Sequence, residues 1–166
     1  PIQLIDIYGA DAVRFSLTTN TSAGNNMRLN EQRLEASRNF ANKLWNAARF
    51  VMSNLRSGTL NHIWNGHCRA ENIQDRWILS KLSRVSAQVN ERMGEYQFGE
   101  AQRLAHDFLW NDYCDWYIEF AKIRLKSTDD SEESPMPALS YVLERTLRML
   151  HPFLPFVTEG IWQILR

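Results

Sequence analysis

Arg38-Asn39-Phe40-Ala41-Asn42-Lys43-Leu44-Trp45-Asn46-Ala47-Ala48-Arg49-Phe50 is the stretch from which the fold of this chain is read. At the ~100° per residue of a helix, Phe40, Ala41, Leu44, Ala47, Ala48 and Val51 gather on one side. Asn39, Asn42, Lys43, Asn46 and Arg49 gather on the other. An apolar stripe opposite a polar face is the pattern of a helix that buries one side in a bundle core. The polar side carries amides and cations, no carboxylate, and one ring, Phe50, beside Lys43 and Asn46. Asn is a poor helix former, so several on one face need a reason. Unstacked nucleic-acid bases supply one: amides bond base edges, Arg and Lys hold phosphate, and aromatic rings stack. Helix–helix hydrogen bonding or a solvated face accounts for the same residues, and Phe50 reads equally as a contact with a neighbouring helix.

Working outward, strand patterns are almost absent. Residues 1–8 read as a short helix stopped at Gly9, and Ala10 to Leu17 as a second. Thr18 to Leu29 is a polar loop with Gly24, Asn25 and Asn26 as turn formers. Asn30 is placed to cap a long helix running to about Leu55. Ser57 to Glu71 is irregular, and a further helix runs from Ile73 to Met93 and ends at Gly94. From Phe98 to Leu125 the rings of Phe108, Trp110, Tyr113, Trp116, Tyr117 and Phe120 leave little of the circumference polar. That predicts a buried, central helix with Trp116 in the core. An acidic loop, Ser127 to Pro137, precedes an amphipathic helix from Pro137 to Leu150, with Leu139, Val142, Leu143, Thr146, Leu147 and Leu150 on one side. His151-Pro152-Phe153-Leu154-Pro155 breaks it before a last helix, Phe156 to Leu165. The expected fold is all-α, a bundle of long antiparallel helices with short connections.

The chain has 166 residues, the size of one domain or two small ones with a real core. Apolar residues at 44% and charged residues at 23% are ordinary for a globular protein. Lys plus Arg and Asp plus Glu both number 19, so no global charge announces a polyanion partner. Local charge is uneven. From Arg28 to Arg56 six cations (Arg28, Arg33, Arg38, Lys43, Arg49, Arg56) stand against Glu31 and Glu35, whereas Asp129 to Glu133 holds four acids and no base. Two distant cysteines, Cys68 and Cys114, form no spaced pair and fit a reducing cytoplasm. No stretch approaches the ~18 apolar residues of a membrane span, so no membrane partner is expected. Nothing at the start resembles a signal peptide, and both ends read as cut from a longer polypeptide.

Enzyme-type constellations are weak. His62, His67 and Cys68 lie close together, yet no second pair stands at zinc spacing. Asp112, Asp115 and Glu119 fall near one side of the central helix with Asn111 and Lys122, which suits a solvated or ion-paired stripe better than acid–base work. No nucleophile with a base and no Gly-x-x-x-x-Gly-Lys phosphate loop occurs. A helical protein–protein docking module remains the alternative to nucleic-acid binding.

Four segments together carry a resemblance. Ile5-Asp6-Ile7-Tyr8-Gly9-Ala10-Asp11-Ala12-Val13-Arg14-Phe15 resembles the segment that follows the Lys-Met-Ser-Lys-Ser loop in class I aminoacyl-tRNA synthetases. Arg38 to Phe50 is similar to the valyl-tRNA synthetases of that class in particular. Asp107-Phe108-Leu109-Trp110-Asn111-Asp112-Tyr113-Cys114-Asp115-Trp116-Tyr117-Ile118-Glu119 and Leu150-His151-Pro152-Phe153-Leu154-Pro155-Phe156-Val157-Thr158-Glu159 look like the same family, in the same order. The chain departs from it at Gly24-Asn25-Asn26-Met27-Arg28, where the family carries an acid in a Gly-x-Asp run.

The resemblance implies a helical-bundle anticodon-binding domain over residues 20–166, with residues 1–19 as connecting helices after a catalytic domain. It implies valine tRNA and that catalytic domain as partners, in a monomeric cytoplasmic enzyme. Valine activation, transfer and editing would belong to parts outside this chain. ATP and Mg would bind there too, so no cofactor, metal or catalytic residue is expected here. Lys43, Arg49 and Phe50 match positions that contact anticodon bases, with Asn46, Asn39 and Asn42 as amide partners. Arg28, Asn111, Asp115 and Glu119 form a weaker set. Phe50, off the core side, is expected to be dispensable for folding, and Trp116 is not.

Overall fold

Asn30 accepts a hydrogen bond from the backbone N–H of Arg33 and so starts the longest uniformly α-helical element among the described residues. That bond satisfies one of the N–H groups which a helix start leaves without a partner. The computed structural model describes residues 2–19, 30–55, 68, 70, 72–127 and 134–165, and every regular element among them is helical. Two short helices, α1 (Ile2–Tyr8) and α2 (Ala10–Thr18), are separated by Gly9 at φ 89°, a left-handed conformation that a side chain disfavours. The long helix is α3 (Glu31–Asn54). It is followed by α4 (Ile73–Gly94), which Asn72 caps by accepting from Gln74 N. Then come α5 (Phe98–Asp107), a ten-residue π-helical segment (Phe108–Tyr117) and α6 (Ile118–Lys126), without a break. The last two helices are α7 (Met136–Leu150) and α8 (Pro155–Leu165).

The core forms where the apolar stripes meet. Phe40, Leu44, Ala48 and Val51 of α3 pack with Ile78 and Leu82 of α4, and with Leu109 and Tyr113 of the π segment. All six residues expected on one side of α7 are buried. Each such Leu or Val stabilises the fold by roughly 1.5–3 kcal/mol. Polar ties fix the arrangement. Asp11 sits at the start of α8 and accepts from Phe156 N at 3.2 Å and Val157 N at 2.6 Å, joining the first helices to the last. Asp75 on α4 is buried against Arg124 on α6, and Tyr117 donates its hydroxyl to Asp75 at 2.6 Å. Tyr113 donates to the carbonyl of Leu139 at 2.9 Å.

One sequence expectation fails, and the π segment is the reason. Trp116 is 58% exposed, not core. In this segment Ile118 N bonds the carbonyl of Tyr113, five residues back. Such a turn advances roughly 80° per residue instead of 100°. Over eight residues from Phe108 the difference swings Trp116 out of the core arc, while Phe108, Leu109, Tyr113 and Tyr117 stay inside it. The same change of register splits the expected stripe of acids. Asp112 turns to Lys81 of α4 at 3.2 Å, and Asp115 turns to α3.

Arg28, the run 24–27, His62, His67 and the acids at 129–133 lie outside the described residues. No helix among the described residues is long and apolar enough to cross a membrane.

Candidate nucleic-acid interface

The apolar stripe of α3 fixes how its polar side is presented, and that side divides into two flanks. One flank faces the π segment and α6 and carries Lys43 and Phe50. Lys43 Nζ lies 3.6 Å from the ring centre of Trp110 and donates to Asp115 Oδ1 at 2.7 Å. Phe50 is half-buried against the core. The ammonium of Lys122 lies 5.6 Å from its ring centre and donates to Glu119 Oε1 at 2.6 Å. The flank therefore holds two sets of the same composition: a ring, an ammonium group above it, and a carboxylate holding the ammonium. Asn39, Asn46 and Asn111 are exposed.

The other flank turns toward α1, α2 and α8. Asn42 lines a groove there with Tyr8, Arg38, Trp45 and Phe156, and the Arg38 guanidinium sits 5.6 Å over the Tyr8 ring. Arg49 is exposed and makes no ion pair among the described residues. Of the sequence candidates, the structure thus brings Lys43, Phe50, Asp115 and Glu119 together. It sets Asn42 on a separate flank.

Trp110 and the contact of Lys122 with Phe50 depart from the sequence expectation, although Lys122 does pair with Glu119 of its own stripe. Trp110 was assigned to the core, yet it is only partly buried and carries Lys43 on its face. Lys122 covers Phe50. The signal for Trp110 is its five-residue spacing from Asp115, one π turn, which a 3.6-residue template cannot pair. Phe50 also differs from expectation, because its ring packs on the core as well as reaching the surface.

The energetics suit a face that can be opened. Solvent-exposed ion pairs are worth about 0–1 kcal/mol, and exposed cation–π contacts about 0.5–1 kcal/mol. A phosphate or base edge can therefore take an ammonium group from Asp115 or Glu119 at small cost. Between these groups burial pushes the Cys114 thiol up to about 12, with Asp115 adding to the rise and Lys43 opposing it. At neutral pH it is a protonated, unreactive group. Among the described residues no cluster of three or more His, Cys, Asp or Glu is placed to hold a metal ion. Chemically the arrangement offers rings that can stack, cations that can bond phosphate and base edges, and carboxylates that can accept from amino groups.

Comparison with known proteins gives three findings. Residues 75–166 match the family model described as the anticodon-binding domain of tRNA ligase. Across the whole chain there is 52% identity to a valine–tRNA ligase of Dehalococcoides mccartyi strain CBDB1. Over 98% of the chain, identity is 48% to that of Symbiobacterium thermophilum and 43% to that of Bacillus thuringiensis. The chain spans 18% of the length of each of these relatives. Among solved structures, a LeuRS from Agrobacterium radiobacter K84, in a ternary complex with tRNA and LeuAMS, superposes on 99% of the chain. It does so with a TM-score of 0.70 at 20% identity, over 19% of its own length. At that identity the likeness concerns the fold, an all-α bundle.

Proposed function

The chain belongs to the family of anticodon-binding domains of tRNA ligases, and from that premise we propose that it recognises the anticodon stem-loop of valine tRNA. The observation that carries the reading is the flank of α3 on which Lys43 and Phe50 each sit within a ring–ammonium–carboxylate set. The valine–tRNA ligases similar to the chain along its length support the choice of tRNA. A splayed anticodon base stacks on Phe50, in place of or beside the Lys122 ammonium. Lys43 and Arg49 bond phosphates or base edges, and Asn46 and Asn39 add amide contacts. Asp115 and Glu119 accept from the amino groups of cytosine or adenine and repel the carbonyl oxygen that uracil or guanine carries at the same position, which favours discrimination over affinity.

The domain supplies recognition to a longer ligase that acts as a monomer in the cytoplasm. ATP, Mg, valine activation and transfer belong to the part of that enzyme outside this chain. The matched family favours this reading over a protein–protein docking module.

Salt dependence separates the two. For a valine-tRNA anticodon hairpin, log affinity should fall with log salt by ~0.7 for each phosphate neutralised on a single strand. Arg49→Gln should lessen that slope by about one such unit. A slope near zero in the native chain contradicts the proposal.

A further inference from the structure

One cavity away from this flank is lined by residues with buried polar atoms that lack a partner among the described residues. It opens among α2, α3 and α5, measures about 260 Å³, and is lined by Phe15, Phe40, Arg33, Gln102 and His106, with Arg103 exposed at its rim. Among the described residues, Arg33 Nη1 and Gln102 Oε1 are both buried without a hydrogen-bond partner. Gln102 is 2% exposed, and its orientation is fixed. Its Nε2 donates to the Phe15 carbonyl at 2.8 Å and to Thr19 Oγ1 at 3.1 Å. The Phe15 carbonyl can only accept, so the amide nitrogen must face it and the amide oxygen is the atom left open. A buried acceptor and a buried guanidinium N–H left open in one cavity cost stability unless something bonds both.

A ladder of packed rings runs from the wall of the cavity to the proposed interface. Phe15 stacks on Phe40 at 4.9 Å, Phe40 lies 4.4 Å from His106, and His106 stacks on Trp110 at 5.8 Å. Trp110 is the ring that carries Lys43.

We propose that this cavity takes one unpaired nucleobase of the RNA whose anticodon lies on the Lys43–Phe50 flank, a nucleobase outside the anticodon triplet. Three features set the chemistry. Every base presents a donor and an acceptor side by side on its pairing edge, matching Gln102 Oε1 and Arg33 Nη1. The mostly apolar lining suits a flat ring. The volume is below the ~300–1,000 Å³ of pockets that enclose drug-sized ligands, so it fits a single base and not a nucleotide. The inference rests on the anticodon reading, and its test keeps the two apart.

The experiment titrates the chain with valine-tRNA anticodon hairpins in which each loop nucleotide outside the anticodon is replaced in turn by an abasic residue. It is run on native protein, on Arg33→Met and on Arg33→Lys, each with its melting temperature. Arg33→Met should weaken the unmodified hairpin about tenfold, the scale of one good contact to a base edge. One abasic hairpin should weaken native binding as much, and in combination the two losses should not add. Arg33→Lys should recover part of the loss, and native preference for the valine anticodon should persist in Arg33→Met. Losses that add at every loop position mean that the cavity holds only water, and the proposal is overturned while the anticodon reading stands. No preference for the valine anticodon in native protein overturns both.

Discussion

Trp110 and Asp115 stand one π turn apart and hold the same ammonium group: Lys43 Nζ is 3.6 Å from the ring centre and 2.7 Å from the carboxylate. In an α-helix, residues five apart differ by about 140° and could not converge on one side chain from a neighbouring helix. The π segment is therefore what assembles this part of the proposed interface, in keeping with the frequency of π turns at functional sites.

Asp115→Asn releases Lys43 from its carboxylate. The side chain of Asp115 is half exposed, so stability should change by no more than about 1 kcal/mol. Affinity for an anticodon hairpin should rise, because a cation is freed for phosphate, while the ratio between the valine anticodon and a changed one should fall. Paired titrations of native and variant protein check both. An unchanged ratio shows that Asp115 takes no part in discrimination.

Phe50→Ala should affect folding and binding together, since the ring is half-buried against the core and covered by Lys122. Thermal unfolding should show a loss of about 2 kcal/mol, below the ~3–5 kcal/mol of a fully buried ring. Hairpin affinity should drop by roughly 1–3 kcal/mol, the value of one stacked base. Loss of stability with unaltered binding would leave Phe50 as a packing residue.

Trp116→Ala and Asp75→Asn should rank in the opposite order from a reading of hydrophobicity alone. Trp116 is 58% exposed and touches Phe120 at 5.9 Å between ring centres, so its removal should cost about 1 kcal/mol. Asp75 is 3% exposed and answers the buried Arg124, so Asn there removes the carboxylate from a buried ion pair and should cost about 3 kcal/mol. Denaturant midpoints decide the ranking.

Alkaline pH should destabilise the fold. Burial pushes the Cys114 thiol from 9.0 up to about 12 and raises Tyr113 and Tyr117 above the ordinary phenol value, with the bond to Asp75 adding to the rise at Tyr117. These groups lose their protons more readily unfolded than folded. Their contribution is complete below pH ~9 and is lost as pH rises through the raised values. Melting temperature should fall steadily above pH 9, less steeply in Tyr117→Phe, and Cys114 should resist alkylation at pH 8 until the chain unfolds.

Helical periodicity carried most of the fold into the sequence. Asn30 marks a helix start by its cap chemistry, and the stripe from Leu139 to Leu150 is buried as its spacing requires. Lys43 and Phe50 were legible because a cation and a ring stand out on an amide face. Trp116 was misplaced and Trp110 undervalued for one shared reason: both lie in the π segment, where a 3.6-residue template assigns sides wrongly. The partnership of Lys122 with Phe50 was illegible because it joins helices far apart in sequence, and the open oxygen of Gln102 depends on a carbonyl 87 residues away.

The most direct measurement is a titration of the chain, at moderate salt, with a valine-tRNA anticodon hairpin and with a hairpin whose anticodon alone is changed. The account predicts tighter binding of the first, by at least about tenfold, with the preference reduced in Phe50→Ala and Asp115→Asn. Equal affinity for the two hairpins would contradict it.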